Sequence, residues 1–231
     1  MLNHHNPYKL QSSKIIVEKK DVTRKDIEEK LASVGDYVKM DYLQKCLKMQ
    51  LDFDTRKFTL NKLASIYESR KMYLEAARLI RIAADINTTY DGKIGDFVKA
   101  LELFIKGGNF SEADITFAKA MGTANDRQKA AIKLKAKEVY RIQAKEYLAR
   151  DKRKHALEAY EKLISMDLNS VEKKEVQDQL LFLYNRLGKI TESSSLKKSM
   201  NQPQQPKEQQ QSKSGFTPSS SSLFKDIGLD D

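Results

Sequence analysis

Residues 60–83 read LNKLASIYESRKMYLEAARLIRIA, a stretch that contains two apolar stripes with a break between them. Leu60, Leu63 and Tyr67 follow one another at intervals of three and four residues, and Ala76 begins the second stripe nine residues after Tyr67. Residues spaced in this way share one face of an α-helix. The stretch therefore predicts two short helices joined by a tight turn.

The same spacing returns further along the chain. Residues 97–120 and 140–163 repeat it with Phe, Tyr, Leu and Ala in the corresponding places, and a degenerate copy ends at Ser193. Successive copies are 37, 43 and 37 residues apart, and counting back 37 residues from the first copy reaches an opening copy that contains Cys46. Self-similarity at a nearly fixed period is typical of stacked helical repeats.

This arrangement resembles the tetratricopeptide repeat (TPR), whose pattern is a large residue, x2, Leu-Gly, x2, Tyr, and then Ala-x3-Phe. The resemblance covers about residues 24–199. It implies an all-α fold, a TPR-like α-solenoid of about five helical hairpins, in which small residues let two helices approach each other. The period exceeds the usual length of about 34 residues, and no Pro closes the repeats. We therefore expect longer helices or loops than the family has.

Four segments are predicted along the chain. Residues 1–22 lack helical periodicity and are expected to form a flexible basic arm, and residues 23–199 are expected to form the repeat domain. Residues 200–222 form a Gln/Pro/Ser linker with too few apolar groups to fold, so disorder is expected there. Residues 223–231 are a short acidic, amphipathic motif. Its apolar members are Leu223, Phe224, Ile227 and Leu229, and its acidic members are Asp226, Asp230 and Asp231.

The formal net charge of this 231-residue chain is +10. Such a charge favours an acidic partner, which includes an acidic peptide, nucleic acid or an anionic membrane surface, although solubility alone also explains it. Cys46 is the only cysteine, which favours a reducing compartment. No apolar run approaches the roughly 20 residues that a membrane span needs. We therefore expect a cytoplasmic protein without a transmembrane segment.

The sequence contains no motif for catalysis. It has no Gly-rich phosphate-binding loop, and its three histidines, His4, His5 and His155, do not combine with other residues at metal-ligand spacing. The Gly107–Gly108 pair lies where a turn between two helices needs a residue with positive φ. We therefore expect a protein that is not an enzyme, with no cofactor and no metal site.

Positive charge is concentrated in residues 127–154, which contain eleven Lys or Arg and three acidic residues. Five of the cations follow one another at i, i+4 and form a slanting ridge, because each step of four residues turns by about 40° on a helix. This basic ridge consists of Lys129, Lys133, Lys137, Arg141 and Lys145. A solvated helix face is the simpler interpretation. Like charges at this spacing destabilise a helix, however, so we predict that the ridge binds a partner.

The resemblance also implies a concave groove lined by the first helix of each hairpin. The residues placed in it are Asn61, Ser65, Val98, Glu102, Arg141, Lys145, Asp178 and Phe182. The chaperone-binding members of the family clamp a terminal carboxylate with Lys, Asn and Arg. Ser65 and Glu102 depart from that pattern, so this ligand is not predicted. The basic ridge is expected in the C-terminal half of the groove.

Two functions remain open. The leading hypothesis is an adaptor or scaffold whose basic groove holds an acidic protein segment, while the motif 223–231 recruits a second protein. The alternative is an RNA- or ribosome-associated factor that uses residues 127–154 on phosphates. The aromatic residues that single-strand binders place among basic ones are missing here, because Tyr140 and Tyr147 are predicted to pack in the core.

The motif 223–231 has two further interpretations. A flexible linker of about 20 residues has an r.m.s. reach of about 25 Å, so the motif can visit the ridge near Arg141 and Lys145 in its own molecule. Alternatively, it serves only as a docking peptide and never contacts the repeat domain.

Overall fold

The computed structural model of the chain describes residues 22–201. This part has ten α-helices and no strand, and 82% of its residues are helical. In chain order the helices are α1 (Arg24–Ala32), α2 (Asp36–Leu47), α3 (Phe53–Ser69), α4 (Tyr73–Ile86), α5 (Tyr90–Lys106), α6 (Phe110–Thr123), α7 (Asp126–Ala149), α8 (Arg153–Ile164), α9 (Ser170–Arg186) and α10 (Ile190–Asn201). The predicted all-α fold is confirmed. The motif 223–231, nearly all of the linker and nearly all of the N-terminal arm lie outside the described residues.

Side-chain caps begin most of the helices. Six N-cap side chains accept a hydrogen bond from a backbone N–H of the first turn, which satisfies one of the donors that a helix end leaves free. They are Thr23, Asp52, Thr89, Asn109, Asn125 and Asn169. At three of these ends the third helical residue also returns a bond to the backbone of the cap, which completes a capping box.

The turn inside the hairpin has one geometry in four hairpins. Its residue with positive φ is Lys71, Gly108, Asp151 or Gly188, at intervals of 37, 43 and 37 residues. The following residue donates its N–H to the carbonyl of an aromatic residue five positions earlier, at 2.8–3.0 Å, which is the closure of a Schellman turn. The aromatic residues of the repeat thus also hold the turns, and the positive φ predicted for the Gly107–Gly108 pair is confirmed at Gly108.

The hairpins stack in chain order. From α3 onward each helix packs on the one before it, while α1 and α2 both pack on α3. The small residues that open the second helices, Ala76, Ala113, Ala156 and Ser193, are all buried. Small buried residues allow two helices to lie close together. The repeat spacing read from the sequence therefore corresponds to a solenoid-like stack of helical hairpins.

The pair formed by α7 and α8 is the most unequal of these hairpins. α7 has 24 residues and α8 has 12, so at 1.5 Å per residue α7 is about 18 Å longer. The corresponding first helices on either side, α5 and α9, have 17 residues each. The additional residues of the 43-residue period therefore lie in α7, whose N-terminal half extends beyond the end of α8.

Two clusters of buried apolar residues fill the stack. The larger cluster extends from α1 to α9 and contains Tyr140, Ala144 and Tyr147 of α7. The smaller cluster joins parts of α4, α5, α6 and α7, with Ile132 as its member from α7. The contact of α6 with α7 is much smaller than that of α4 with α5. The N-terminal half of α7 thus joins the smaller cluster through Ile132, and the C-terminal half belongs to the larger cluster.

Cys46 lies in the core of α2. Burial raises the pKa of its thiol, so the group stays protonated and packs as a small apolar residue. Of the helices in residues 22–201, none combines the length and the apolar composition that crossing a membrane requires.

Candidate partner-binding cleft on α7

One face of the N-terminal half of α7 lines an open cleft of about 750 Å³. Its members recur every three or four residues, which is the spacing of a single helix face. From α7 they are Asp126, Lys129, Ala130, Lys133, Leu134, Lys137 and Tyr140, and the other lining residues are Asp114, Phe117, Lys162, Ser165, Met166 and Asp167. We call this site the α7 cleft. Its volume is within the range of about 300–1,000 Å³ that is usual for ligand sites.

The α7 cleft arises because α8 ends beside the middle of α7. α8 stops at Ile164, and in the connection that follows, the carbonyl of Asp167 accepts a hydrogen bond of 3.0 Å from Lys137 Nζ. Before Lys137, α7 packs on α5 and α6, and α8 has already ended. A face of α7 that would otherwise pack against a helix is therefore open.

Part of the lining of the α7 cleft is apolar. It includes Phe117, Met166 and Leu134, and Leu134 is 65% exposed although it is a large apolar side chain. Tyr140 also lines the cleft, and its ring packs on Phe110 with the ring centres 5.8 Å apart. This surface favours an apolar side chain of a ligand, because covering it removes apolar area from water.

The Tyr140 hydroxyl is the unusual polar group of the cleft. It is buried and makes no hydrogen bond of standard geometry within the described part of the chain, although the Asp114 carboxylate lies close enough to act as an acceptor, whereas the hydroxyl of Tyr147 donates to the carbonyl of Ile105 at 3.3 Å. Burial, together with the nearby Asp114 carboxylate, raises the pKa of Tyr140, so the phenol remains neutral and can donate. A buried polar group without a partner costs about 1–3 kcal/mol.

Charged side chains form the rest of the lining. Lys129 pairs with Asp126 at 3.2 Å, and Lys162 pairs with Asp114. Lys133 has no ion pair among the described residues. The lining holds four lysines and three aspartates, so the cleft presents a mixed rim with a small positive excess, and Lys133 is the cation that remains available to a ligand.

The C-terminal half of the basic ridge has a different environment. Arg141 Nη2 donates to Oε1 of Glu172 at 2.6 Å, and Lys137 Nζ lies 3.7 Å from Oε2 of the same carboxylate. Lys145 pairs with Glu175 at 3.0 Å. The hydrogen bond from Arg141 is the main reason that the pKa of Glu172 is lowered. The carboxylates missing from the sequence around the ridge are thus supplied by α9.

Helix geometry explains this division of the ridge. Each step of four residues turns by about 40°, so Lys145 points about 120° away from Lys133. Lys129 and Lys133 face the cleft, Lys137 borders both environments, and Arg141 and Lys145 face α9. The ridge is therefore not one uniformly positive surface.

The remaining residues predicted for the groove are dispersed. Asn61 and Ser65 line a separate, shallow pocket beside Phe58 on α3. Phe182 of α9 is half-exposed, and the guanidinium carbon of Arg186 lies 5.4 Å from its ring centre. Val98 and Glu102 of α5 are half-buried, and Asp178 of α9 is exposed. Partner binding at these residues stays a prediction, and the motif 223–231 lies outside the described residues.

Several residues of the cleft were not singled out by sequence reasoning. Phe117, Leu134, Met166, Lys162 and the unpaired hydroxyl of Tyr140 come together only through packing. One signal was present in the sequence, because the 43-residue period marked the place where the stack is irregular. That period does not reveal whether the extra residues extend a helix or a loop.

No group of three or more His, Cys, Asp or Glu side chains within residues 22–201 has an arrangement that could hold a metal ion. The chemistry that the cleft itself offers is recognition. It combines a partly apolar lining, a buried phenol that can donate, and lysines at the rim.

Comparisons with known proteins add one finding. No protein-family model matches the chain, and no curated protein matches it. The chain is similar to the crystal structure of BtubC (BKLC) from P. vanneervenii, with 14% sequence identity and a TM-score of 0.34. The match covers 88% of this chain and 85% of BtubC. A TM-score of this size does not establish a common fold or a common function.

Proposed function

We propose that the chain is a non-enzymatic, TPR-like adaptor that holds an acidic segment of a partner protein in the α7 cleft. The segment inserts a large apolar side chain against Phe117, Leu134 and Met166, and it places a carboxylate beside Lys133. The motif 223–231 is the second interaction element of this adaptor.

The observation that carries this proposal is the combination at Leu134 and Tyr140. A single exposed leucine on a surface needs no explanation. Here the exposed leucine lies in a concave site that also contains a buried hydroxyl without a hydrogen bond of standard geometry and a lysine without an ion pair to a described residue. Apolar walls with a few convergent polar groups are typical of binding sites.

The distribution of unpaired cations supports a protein partner rather than a nucleic acid. Within residues 127–154, only Arg127, Lys133, Lys152 and Lys154 lack an ion pair to a described residue. The first two lie in the N-terminal third of α7 and the last two lie beyond its C-terminus, so about 24–33 Å of helix separates the two groups. A phosphate backbone needs a continuous row of cations, and α9 interrupts that row with Glu172 and Glu175.

A peptide selection tests this function. A library of random 12-residue peptides is displayed and selected on the immobilised full chain, and individual enriched peptides are then measured in solution by fluorescence anisotropy. We expect enriched peptides to combine an aromatic or aliphatic anchor with Asp or Glu. We also expect Lys133→Glu to weaken their binding about tenfold, since a tenfold change corresponds to about 1.4 kcal/mol.

Lys145→Glu is the matched control, because it makes the same charge change on the same ridge at a residue already paired with Glu175. It should leave peptide affinity within about twofold, as expected for a charge outside the site. A 20-nucleotide single-stranded RNA is titrated in parallel at several salt concentrations. Tight RNA binding that both variants weaken equally, together with no enriched acidic peptide, would refute the adaptor proposal and favour the RNA-associated alternative.

A further inference from the structure

The chain leaves the described structure at the same end of the stack as the α7 cleft. In every hairpin the second helix returns to the end where the first helix began. The N-terminal half of α7 and the α8–α9 connection, both of which line the cleft, therefore share an end of the stack with Asn201, the last residue of α10. Residues that follow Asn201 begin on the side of the cleft.

We propose that residues 223–231 of the same chain occupy the α7 cleft when no partner is bound. This inference rests on the proposed function, because it assigns to the same cleft an occupant from within the chain. The ridge residues Arg141 and Lys145 do not take part, since both are engaged by carboxylates of α9.

The distance is compatible with the length of the connecting segment. Packed helices lie about 8–10 Å apart, and α9 and α10 are the two helices that follow α8, so Asn201 is about 20 Å from the cleft. The 21 residues between Asn201 and Leu223 have an r.m.s. reach of about 25 Å for a flexible composition. The connection is therefore long enough for the motif to reach the cleft and short enough to keep its effective concentration there high.

The chemistry of the motif complements that of the cleft. Residues 223–231 read LFKDIGLDD, with four large apolar residues, three aspartates and one lysine. The lining of the cleft is partly apolar and includes four lysines and three aspartates. Phe224 and Ile227 are three positions apart, so on a single helical turn they would share a face. Such a face can cover Leu134, while an aspartate pairs with Lys133.

Occupation by this motif would make the adaptor self-inhibited. A tethered segment is present at an effective concentration near a millimolar. If its intrinsic Kd is about 0.1 mM, it fills the cleft in about nine molecules of ten and weakens an external peptide about tenfold. A protein that binds the motif 223–231 would release the cleft at the same time, so the two interaction elements would be coupled.

The absence of tryptophan from the chain permits a direct test. Phe224→Trp introduces a single tryptophan into the full chain, and its emission is excited selectively at wavelengths that the ten tyrosines do not absorb. We expect blue-shifted emission that acrylamide quenches poorly, at every protein concentration, because docking is intramolecular. Adding Lys133→Glu or Leu134→Glu should move the emission to the red and increase quenching, whereas adding Lys145→Glu should not.

A second experiment compares the full chain with a chain that lacks residues 202–231. The peptides selected in the cleft should bind the shortened chain about tenfold more tightly than the full chain, as the competition arithmetic requires. A solvent-exposed indole in the Phe224→Trp variant, or equal peptide affinities with and without the tail, overturns self-docking while the adaptor function stands. If neither chain enriches any peptide, the proposed function fails as well. A blue shift that appears only at high protein concentration assigns the motif to a second molecule and also overturns the proposal.

Discussion

The two halves of α7 belong to one helix and carry one series of basic residues, yet the members of that series have different environments in the two halves. In the C-terminal half, Tyr147 and Ala144 are buried in the main core, and Arg141 and Lys145 are paired with α9. In the N-terminal half, Leu134 is exposed beside a cleft and Lys133 has no ion pair to a described residue. The difference shows that a periodic charge pattern does not by itself determine whether its residues are paired or available to a ligand, because this depends on the neighbouring helices.

Removal of a large apolar side chain from each half should give the largest contrast. Tyr147→Ala deletes a buried ring that also donates to the carbonyl of Ile105, so we expect a loss of about 3–5 kcal/mol in the free energy of unfolding. Leu134→Ala should change it by less than about 0.5 kcal/mol. Urea unfolding followed by circular dichroism measures both. Similar losses for the two variants would mean that the N-terminal half is packed like the C-terminal half.

Enlarging a small residue in each half gives a smaller contrast of the same kind. Ala144 is fully buried where α7 meets its neighbours, and Ala131 is exposed. Ala144→Leu should destabilise the fold by about 1–3 kcal/mol through over-packing, while Ala131→Leu should stay within about 0.5 kcal/mol. In a thermal melt this difference corresponds to several degrees, and equal melting temperatures would show that the assigned helix faces are wrong.

Acid should remove one interaction of the C-terminal half. The pKa of Glu172 is lowered in the folded chain, chiefly by the hydrogen bond from Arg141. Its stabilisation is therefore complete above the ordinary pKa of a glutamate and is lost as the pH falls through the lowered value. For a partly exposed pair we expect a coupling energy of about 0.2–1 kcal/mol. A double-mutant cycle of Arg141→Gln and Glu172→Gln at neutral and acidic pH measures it.

The control for that cycle is Lys133→Gln combined with Glu172→Gln, because the cations that pair with Glu172 are Lys137 and Arg141 and not Lys133. Its coupling energy should be close to zero at every pH. An Arg141–Glu172 coupling that persists unchanged in acid would contradict the assigned ion pair.

Charge reversal should give the smallest effects, with opposite signs in the two halves. Lys133→Glu replaces a repulsion with Lys129 and Lys137 by attraction, so it should raise the free energy of unfolding by about 0.2–0.5 kcal/mol. Lys145→Glu loses the pair with Glu175 and adds a repulsion, so it should lower that free energy by a similar amount. Thermal melts of both variants at low salt, where charge interactions are strongest, would show the sign of each change in the free energy of unfolding. Equal signs would remove the distinction between the halves.

Most of the fold was predictable because the repeat depends on features that act over a few neighbouring residues. The small residues from Ala76 to Ser193 and the aromatic residues from Tyr67 to Tyr184 recur at the same intervals as the positive-φ residues of the turns. Residue size and turn geometry act over a few positions, so the sequence expresses them directly. The length of α7 was less accessible, since an insertion of six residues extends a helix or a loop with the same change in period.

The candidate site was less predictable because its interactions cross from one hairpin to the next. Arg141 meets Glu172 and Lys99 meets Glu68, both 31 residues apart. Which positions meet at that separation depends on how far each hairpin is rotated against its neighbour, and a single sequence does not encode that rotation in a readable way. The ridge was therefore recognised from its charges, but its compensation by α9 was not.

In a linear stack of hairpins each unit is stabilised mainly by its neighbours. The interfaces between neighbours therefore determine which groups of hairpins unfold together. In residues 22–201 the direct contact between α6 and α7 is short, and the contact between α5 and α7 and the ion pair between Lys162 and Asp114 span the same boundary. We expect α1–α6 and α7–α10 to open as two blocks in native-state amide exchange, each with its own protection. The α7 cleft is lined from both blocks, by Phe117 on one side and by Leu134 and Met166 on the other. Whatever fills the cleft would therefore add a further link between these two groups of helices.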